Sequence, residues 1–241
     1  QEYIKTYAHE NADWNELVSI FDKKSTKDIK QWSEVWVNSS GRPMITDEVH
    51  YENGKISSFK IYQQAEDGAD KVWTQSFQIG LVYKNEIKVL DVTISDKEYL
   101  LKEAIGLEKP TQIIYNYNGF GYGIFPLDVQ SVQNYKHIKD DLARGYAYIN
   151  CYENFLSKKV SVDIAFETFL DGLLHEKNEL RTNYLSGRIG DIYWSFFNAS
   201  QRNQIQKELE KKIFYLLESD ISSNLKRTVF GLYRNIAISQ K

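Results

Sequence analysis

The chain has 241 residues, which is enough for one large domain or two small ones with a sizeable buried core. Apolar residues make up 42% of it and aromatic residues 14%, so a folded protein with an aromatic-rich core is expected rather than a disordered chain. With 30 basic and 33 acidic residues the net charge is -3, which is too near neutrality to indicate binding to nucleic acid or to an anionic membrane.

Two amphipathic helices are predicted first along the chain, because apolar residues recur at helical spacing on either side of the polar segment DKKSTKD. Ser25 or Thr26 is the expected N-cap of the second helix. The segment NSSGRP then ends the helical pattern, since it contains glycine and proline. The apolar positions are Leu17, Ile20, Phe21, Ile29, Trp32 and Trp36.

From Pro43 onward the pattern changes to a period of two, which predicts β-strands. Asn53-Gly54, between TDEVHYE and KISSFKIY, predicts a two-residue type I′ hairpin turn. Residues 73–83 alternate almost perfectly and predict a half-buried antiparallel strand. With shorter patterns near 98–104 and 112–117, about seven short strands are expected, and this spacing is typical of a small β-sandwich.

After Asp128 the pattern is helical to the end of the chain. Five helices of about 12 to 20 residues are predicted, the first from about 138 to 156. Short links such as NAS and SDISS favour antiparallel neighbours stacked as helical pairs. The final helix continues into NIAISQK without a capping signal, so the array is expected to be truncated.

These patterns predict a multidomain chain of the all-β plus all-α class. Residues 1–42 form closing helices, residues 43–127 form a small antiparallel β-sandwich, and residues 128–241 form an α-helical array. No apolar run approaches the ~20 residues that would span a bilayer, so no transmembrane segment is expected.

The glycine-rich stretch NYNGFGYGIF, at 116–125, was tested as a phosphate-binding loop. Such a loop needs G-x-G-x-x-G immediately before a helix, because the phosphate sits on the helix N-terminus. Here Ile124 occupies the third glycine position, and Phe125-Pro126 continues as extended chain. The stretch is therefore interpreted as a backbone corner that joins two domains.

The remaining chemical motifs are weak. HEKNE at 175–179 resembles the zinc motif H-E-x-x-H, but Glu179 stands where the second histidine must be. His9, His50 and His137 have no partner at metal spacing. Cys151 is the only cysteine, which excludes an intramolecular disulfide, and it is expected to be a small buried side chain. No catalytic or metal-binding constellation is predicted.

The order of elements resembles the C-terminal part of the M1 family of zinc aminopeptidases, and in particular a divergent bacterial branch. The closing helices match that family's pattern D-hydrophobic-x-x-W-x-x-x-W-V followed by G-x-P. A second match is to N-P-G-x-x-G-F-Y-R-V-x-Y-D, although Gly123 and Ile124 replace the usual Tyr-Arg pair. The matching positions are Asp28, Ile29, Trp32, Trp36, Val37, Gly41, Pro43, Gly121, Tyr122, Phe125 and Asp128.

The resemblance implies that the intact protein removes N-terminal residues from peptides, using zinc held by H-E-x-x-H and a further glutamate. None of those elements is present in this sequence, so no catalytic or metal residue is assigned, no cofactor is expected in this chain, and the chain alone is expected to be inactive. Its partner would be the catalytic domain of the same polypeptide, with peptide substrates in the intact protein.

In the family the sandwich acts as a spacer, and the helical array closes over the catalytic cleft. Arginines on the array bind substrate carboxylates in some relatives, which makes Arg181 and Arg188 conceivable candidates. Because helix arginines are more often surface residues, no substrate-binding residue is assigned. The alternative function is a non-enzymatic module that binds a protein or a glycan, and the aromatic richness favours it. The sequence does not specify the cellular compartment.

Overall fold

The structure of the protein is a computed structural model, and residues 1–238 are described. Two small antiparallel sheets form a β-sandwich-like arrangement, and a run of helices follows them. This confirms the predicted fold class. No helix in residues 1–238 is long and apolar enough to cross a bilayer. The expected truncation of the array concerns the last residues of the chain, and 239–241 lie outside the described residues.

The N-terminal region contains short helices. They are α1 (Glu2–Thr6), α2 (Trp14–Lys24) and α3 (Ile29–Ser33), and a π-helical turn (Glu34–Asn38) follows α3 directly. Asp28 caps α3, since its Oδ1 accepts a hydrogen bond of 2.8 Å from the Gln31 N–H. The prediction of Ser25 or Thr26 as N-cap was therefore wrong, because α3 begins only at Ile29 and Ser25 is the C-cap of α2.

The first sheet has the strand order β1-β2-β5, formed by β1 (Pro43–Glu52), β2 (Lys55–Ala65) and β5 (Glu98–Leu100). Both strand pairs are antiparallel. Asn53 and Gly54 have φ angles of 51° and 77°, as a type I′ turn requires, which confirms the predicted hairpin. The side chains of Ile56, Phe59 and Ile61 on β2 are buried.

The second sheet has the order β4-β3-β6, formed by β3 (Gln75–Val82), β4 (Ile87–Ile94) and β6 (Gln112–Tyr115). Alternate residues of β3 are buried, as the sequence pattern predicts. Residues 1–238 thus contain six strands, fewer than the seven or so expected. In residues 98–104 the strand is shorter than the pattern suggests, since only Glu98–Leu100 form a strand and Lys102–Ala104 form a 3₁₀ turn.

Five α-helices follow, as predicted, after a 3₁₀ segment (Val129–His137) that was not predicted as a separate element. Each helix is preceded by an N-cap residue whose side chain accepts a hydrogen bond from a backbone N–H group of the first turn. These bonds satisfy donors that the helix itself leaves unpaired. The helices are α4 (Asp141–Leu156), α5 (Val162–His175), α6 (Glu179–Ser195), α7 (Ala199–Glu218) and α8 (Ser223–Ile236). The capping residues are Asp140, Ser161, Asn178, Asn198 and Ser222.

Backbone contacts divide the chain into two compact units. The first comprises 1–77, 91–109 and 120–124, and the second comprises 78–90, 110–119 and 125–241. The core of the second unit is rich in aromatic side chains. The domain boundaries predicted after residues 42 and 127 remain predictions, since a division by contacts does not establish which segments fold alone.

Candidate functional site

The glycine-rich stretch is a backbone corner and lacks the geometry of a phosphate loop. Gly119 and Gly123 have positive φ angles of 68° and 127°. A Cβ on Gly123 would lie 2.3 Å from the carbonyl oxygen of Pro43, so only glycine fits. Directly behind it, the Ile124 N–H donates to that oxygen at 3.0 Å, and the Ile124 carbonyl accepts from Ile45 at 2.8 Å. The residues after the last glycine pair with β1 instead of starting a helix.

Two buried asparagines on α4 hold the next two residues of the chain. The Phe125 N–H donates to Asn150 Oδ1 at 3.1 Å, and the Phe125 carbonyl accepts from Asn154 Nδ2 at 3.0 Å. Asn150 Nδ2 also donates to the Pro126 carbonyl at 3.2 Å. The sequence reasoning missed this pair, whose signal is two amides at i, i+4 on a helix face that is otherwise apolar.

A charged cluster joins α4 to the link between α5 and α6. The carboxylate of Glu176, whose side chain is 3% exposed, accepts from Arg144 Nε at 3.1 Å and from Arg181 Nε at 2.7 Å. Asp141 lies on the outer side and pairs with both guanidinium groups. Backbone N–H groups of Lys177 and Asn178 also donate to Glu176, each at 2.9 Å. We call these four side chains, Glu176, Arg144, Arg181 and Asp141, the Glu176 cluster.

Burial acts to raise the pKa of Glu176, because it penalises the charged form. The hydrogen bonds from Arg181, Arg144 and the two backbone N–H groups outweigh burial and lower the pKa to about 2. The carboxyl group of Glu176 is therefore ionised at neutral pH, and the guanidinium group of Arg181 is paired with it. Arg181 is therefore not placed to bind a substrate carboxylate.

Arg188 has a different environment on α6. Its guanidinium lies over the rings of Tyr152 and Tyr184, 4.4 and 5.4 Å from their centroids, and its Nη2 is 3.0 Å from Asp191 Oδ2. Among the described residues, its buried Nε atom has no hydrogen-bond partner. Stacking between two rings fixes the orientation of the guanidinium.

Arg188 lines a groove of about 960 Å³ between α6 and α8, which we call the α6–α8 groove. Arg227 and Arg234 line it from α8, and Asp191 is its only acidic lining residue. Trp194 Nε1 donates to the Asn235 carbonyl at 3.2 Å and so ties α6 to α8 there. The sequence reasoning missed the two arginines of α8, although their spacing of seven residues places them on one helix face.

Glycines keep the α6–α8 groove open. A Cβ added to Gly187 on α6 or to Gly231 on α8 would meet no atom within 4 Å. Ser186 also lines the groove; it is 8% exposed, and its Oγ atom is buried without a hydrogen-bond partner. The groove therefore offers cationic groups and accessible helix backbone. It is a candidate ligand site.

The residues tested as metal ligands are not brought together. His175 ends α5, with Nδ1 2.7 Å from the Asp171 carbonyl, whereas Glu179 begins α6 and accepts from Asn224 at 2.9 Å. Within residues 1–238 no three His, Cys, Asp or Glu side chains are grouped so as to hold a metal ion. Cys151 is buried, as predicted, and burial raises the pKa of its thiol to about 12.

Comparison with known proteins points to the aminopeptidases. The chain is 32% identical over 66 residues to aminopeptidase N of Streptomyces lividans. The matched residues make up 27% of this chain and span 8% of the length of that relative. No family model matches the chain. The comparison therefore supports a relationship to aminopeptidase N at most, over a limited part of the sequence.

Proposed function

We propose that this chain is the non-catalytic C-terminal portion of a zinc-dependent M1 aminopeptidase. In this proposal the sheets act as a spacer, and the helical array forms a cap over the catalytic cleft. The observation that carries it is the similarity to aminopeptidase N in a chain whose two sheets precede a run of helices. The order of elements alone would be weaker support, because one fold can serve many functions.

A cap of this kind has to be rigid, so that its shape does not change when peptides contact it. The Glu176 cluster supplies that rigidity, since two guanidinium groups from α4 and α6 share one buried carboxylate. The asparagines of α4 fix the first residues of the segment that enters the helices. In the intact enzyme, zinc would activate water in the catalytic domain, and this chain would limit which peptides reach it.

The proposal is tested first on the purified chain. We expect no stoichiometric zinc by elemental analysis and no hydrolysis of aminoacyl-anilides. Tight zinc binding together with turnover would contradict the proposal. The second measurement is the gene sequence upstream of Gln1, where we expect H-E-x-x-H followed about 20 residues later by a helical glutamate. An unrelated upstream domain would also contradict the proposal.

A second candidate function is a non-enzymatic interaction module. The α6–α8 groove favours it, because Trp194 and three arginines line an open surface there. This candidate predicts that the upstream gene sequence contains no zinc motif, which separates it from the peptidase proposal.

A further inference from the structure

We propose that the α6–α8 groove binds an extended segment of another protein that carries two acidic side chains. Its carboxylates would pair with Arg227 and Arg234. This goes beyond the proposed function, since it concerns a surface of the helices and does not depend on a peptidase activity.

The first argument is charge. The α6–α8 groove contains three arginines and one aspartate, and that aspartate, Asp191, is already paired with Arg188 at 3.0 Å. Within residues 1–238, Arg227 and Arg234 have no ion-pair partner. The whole chain has a net charge of -3, so two unpaired arginines in one groove are a local excess of positive charge. Guanidinium groups match carboxylates in a two-point geometry, which makes an acidic ligand the complementary one.

The second argument is the size of the groove. The volume of about 960 Å³ is at the upper end of the ~300–1,000 Å³ typical of ligand sites, so several residues of a peptide fit.

The third argument is spacing, and it specifies the segment. Arg227 and Arg234 are seven residues apart, which places them on one face of α8 about 10 Å apart along its axis. In a polyproline II segment, residues i and i+3 lie on one face about 9 Å apart. The open backbone at Gly187 and Gly231 leaves room for such a chain. The expected ligand is therefore of the form E-x-x-E in extended conformation.

The test uses the purified full chain and a fluorescein-labelled peptide GEPPEG, whose termini are blocked so that it has no terminal carboxylate. Binding is followed by fluorescence anisotropy. We expect saturable binding that weakens as salt is raised. The peptide GQPPQG should bind at least about tenfold more weakly, since it lacks the two charges. Equal binding of the two peptides would overturn the proposal.

Variants locate the binding. The double substitution Arg227→Glu with Arg234→Glu should weaken GEPPEG binding at least about tenfold. The control, Lys226→Glu with Lys207→Glu, makes the same charge change at exposed positions outside the groove lining and should have little effect. If both double variants weaken binding equally, the site lies elsewhere and the proposal fails. Arg227→Gln with Arg234→Gln repeats the test with a smaller charge change.

A steric variant separates the groove from general charge attraction. Gly231→Leu adds a side chain where a Cβ meets open space, so it should fold normally but reduce binding at least about tenfold. Unchanged binding by this variant would overturn the proposal.

An unlabelled single-stranded oligonucleotide and inorganic phosphate serve as competitors. If either displaces GEPPEG as well as the unlabelled peptide does, the groove is a general polyanion site and the acidic-segment proposal is wrong.

Discussion

Gly123 shows how one residue can decide the course of the backbone. Its φ angle of 127° is strained for any other residue, and its α-carbon faces the Pro43 carbonyl too closely for a side chain. The sequence indicated a corner in this stretch but gave no reason to single out this glycine from its neighbours. That choice depends on a strand about 80 residues earlier in the chain, which the local pattern does not report.

The substitution Gly123→Ala should lower the free energy of unfolding by about 2 kcal/mol or more, because it adds both backbone strain and a clash with backbone. Urea-induced unfolding followed by circular dichroism measures this. The matched control is Gly187→Ala, in open helical backbone, which should be neutral or stabilise by up to about 1 kcal/mol. Equal effects of the two substitutions would argue against the close approach.

Asn154 is a second residue whose role depends on tertiary contacts. Its amide donates to the carbonyls of Phe125 and Asn150, at 3.0 and 2.9 Å, in a buried position. Asn154→Leu should cost about 1–3 kcal/mol of stability, since it removes buried hydrogen bonds to the Phe125 and Asn150 carbonyls. Chemical denaturation tests this, with Asn203→Leu at an exposed position of α7 as the control. A loss no larger than that of the control would contradict the anchoring role.

At the scale of elements, the N-cap of α3 is not the residue that the sequence interpretation selected. Serine, threonine and aspartate are all good N-caps, and several of them lie between α2 and α3. The structure selects Asp28, whose carboxylate reaches the Gln31 N–H.

We expect Asp28→Ala to lower stability by about 1 kcal/mol, whereas Thr26→Ala should change it by less than about 0.5 kcal/mol. Thermal unfolding of the two variants provides the measurement. A larger effect at Thr26 than at Asp28 would restore the original assignment of the cap.

The Glu176 cluster connects elements, and its charge makes stability depend on pH. In the folded chain the pKa of Glu176 is lowered to about 2, whereas in the unfolded chain it should be near its ordinary value of 4.5. Because the folded pKa is the lower one, the contribution is fully present above about pH 4.5 and is lost as the pH falls towards 2.

This contribution should amount to about 1–3 kcal/mol, where the lower part of the range allows for screening by solvent. Urea unfolding between pH 7 and pH 3 should show a shallower pH dependence for Glu176→Gln than for the unmodified chain. The control is Glu167→Gln, an exposed position on α5, which should leave the slope unchanged. Parallel curves for Glu176→Gln and the unmodified chain would contradict the lowered pKa.

At the scale of the whole molecule, the sequence predicted the class and the order of elements well. The change from period two to helical period near Asp128 separated the strands from the helices. The 3₁₀ segment at Val129–His137 was not predicted as a separate element, although Val129, Val132 and Tyr135 recur every three residues, which is the 3₁₀ period. The strand count was overestimated because a short apolar pattern fits a strand and a turn equally well.

The candidate site was less accessible from sequence than the fold. Arg181 and Arg188 were both conceivable as ligand-binding residues, but tertiary contacts distinguish them. Arg181 meets the buried Glu176, whereas Arg188 stacks on Tyr152 and lines an open groove. The sequence places Glu176 five residues from Arg181 but does not show that Glu176 is buried and shared with Arg144, because those contacts come from residues more distant in the chain.

The sequence by itself determined what depends on neighbours along the chain: the period of each segment, the Asn53-Gly54 turn and the number of helices after Asp128. Only the tertiary structure decided which glycine lies too close to a carbonyl oxygen to carry a side chain, which arginine pairs with a buried carboxylate, and which helix faces line a groove. The physical reason is that hydrogen bonds, ion pairs and steric limits act through space, between residues that folding brings together.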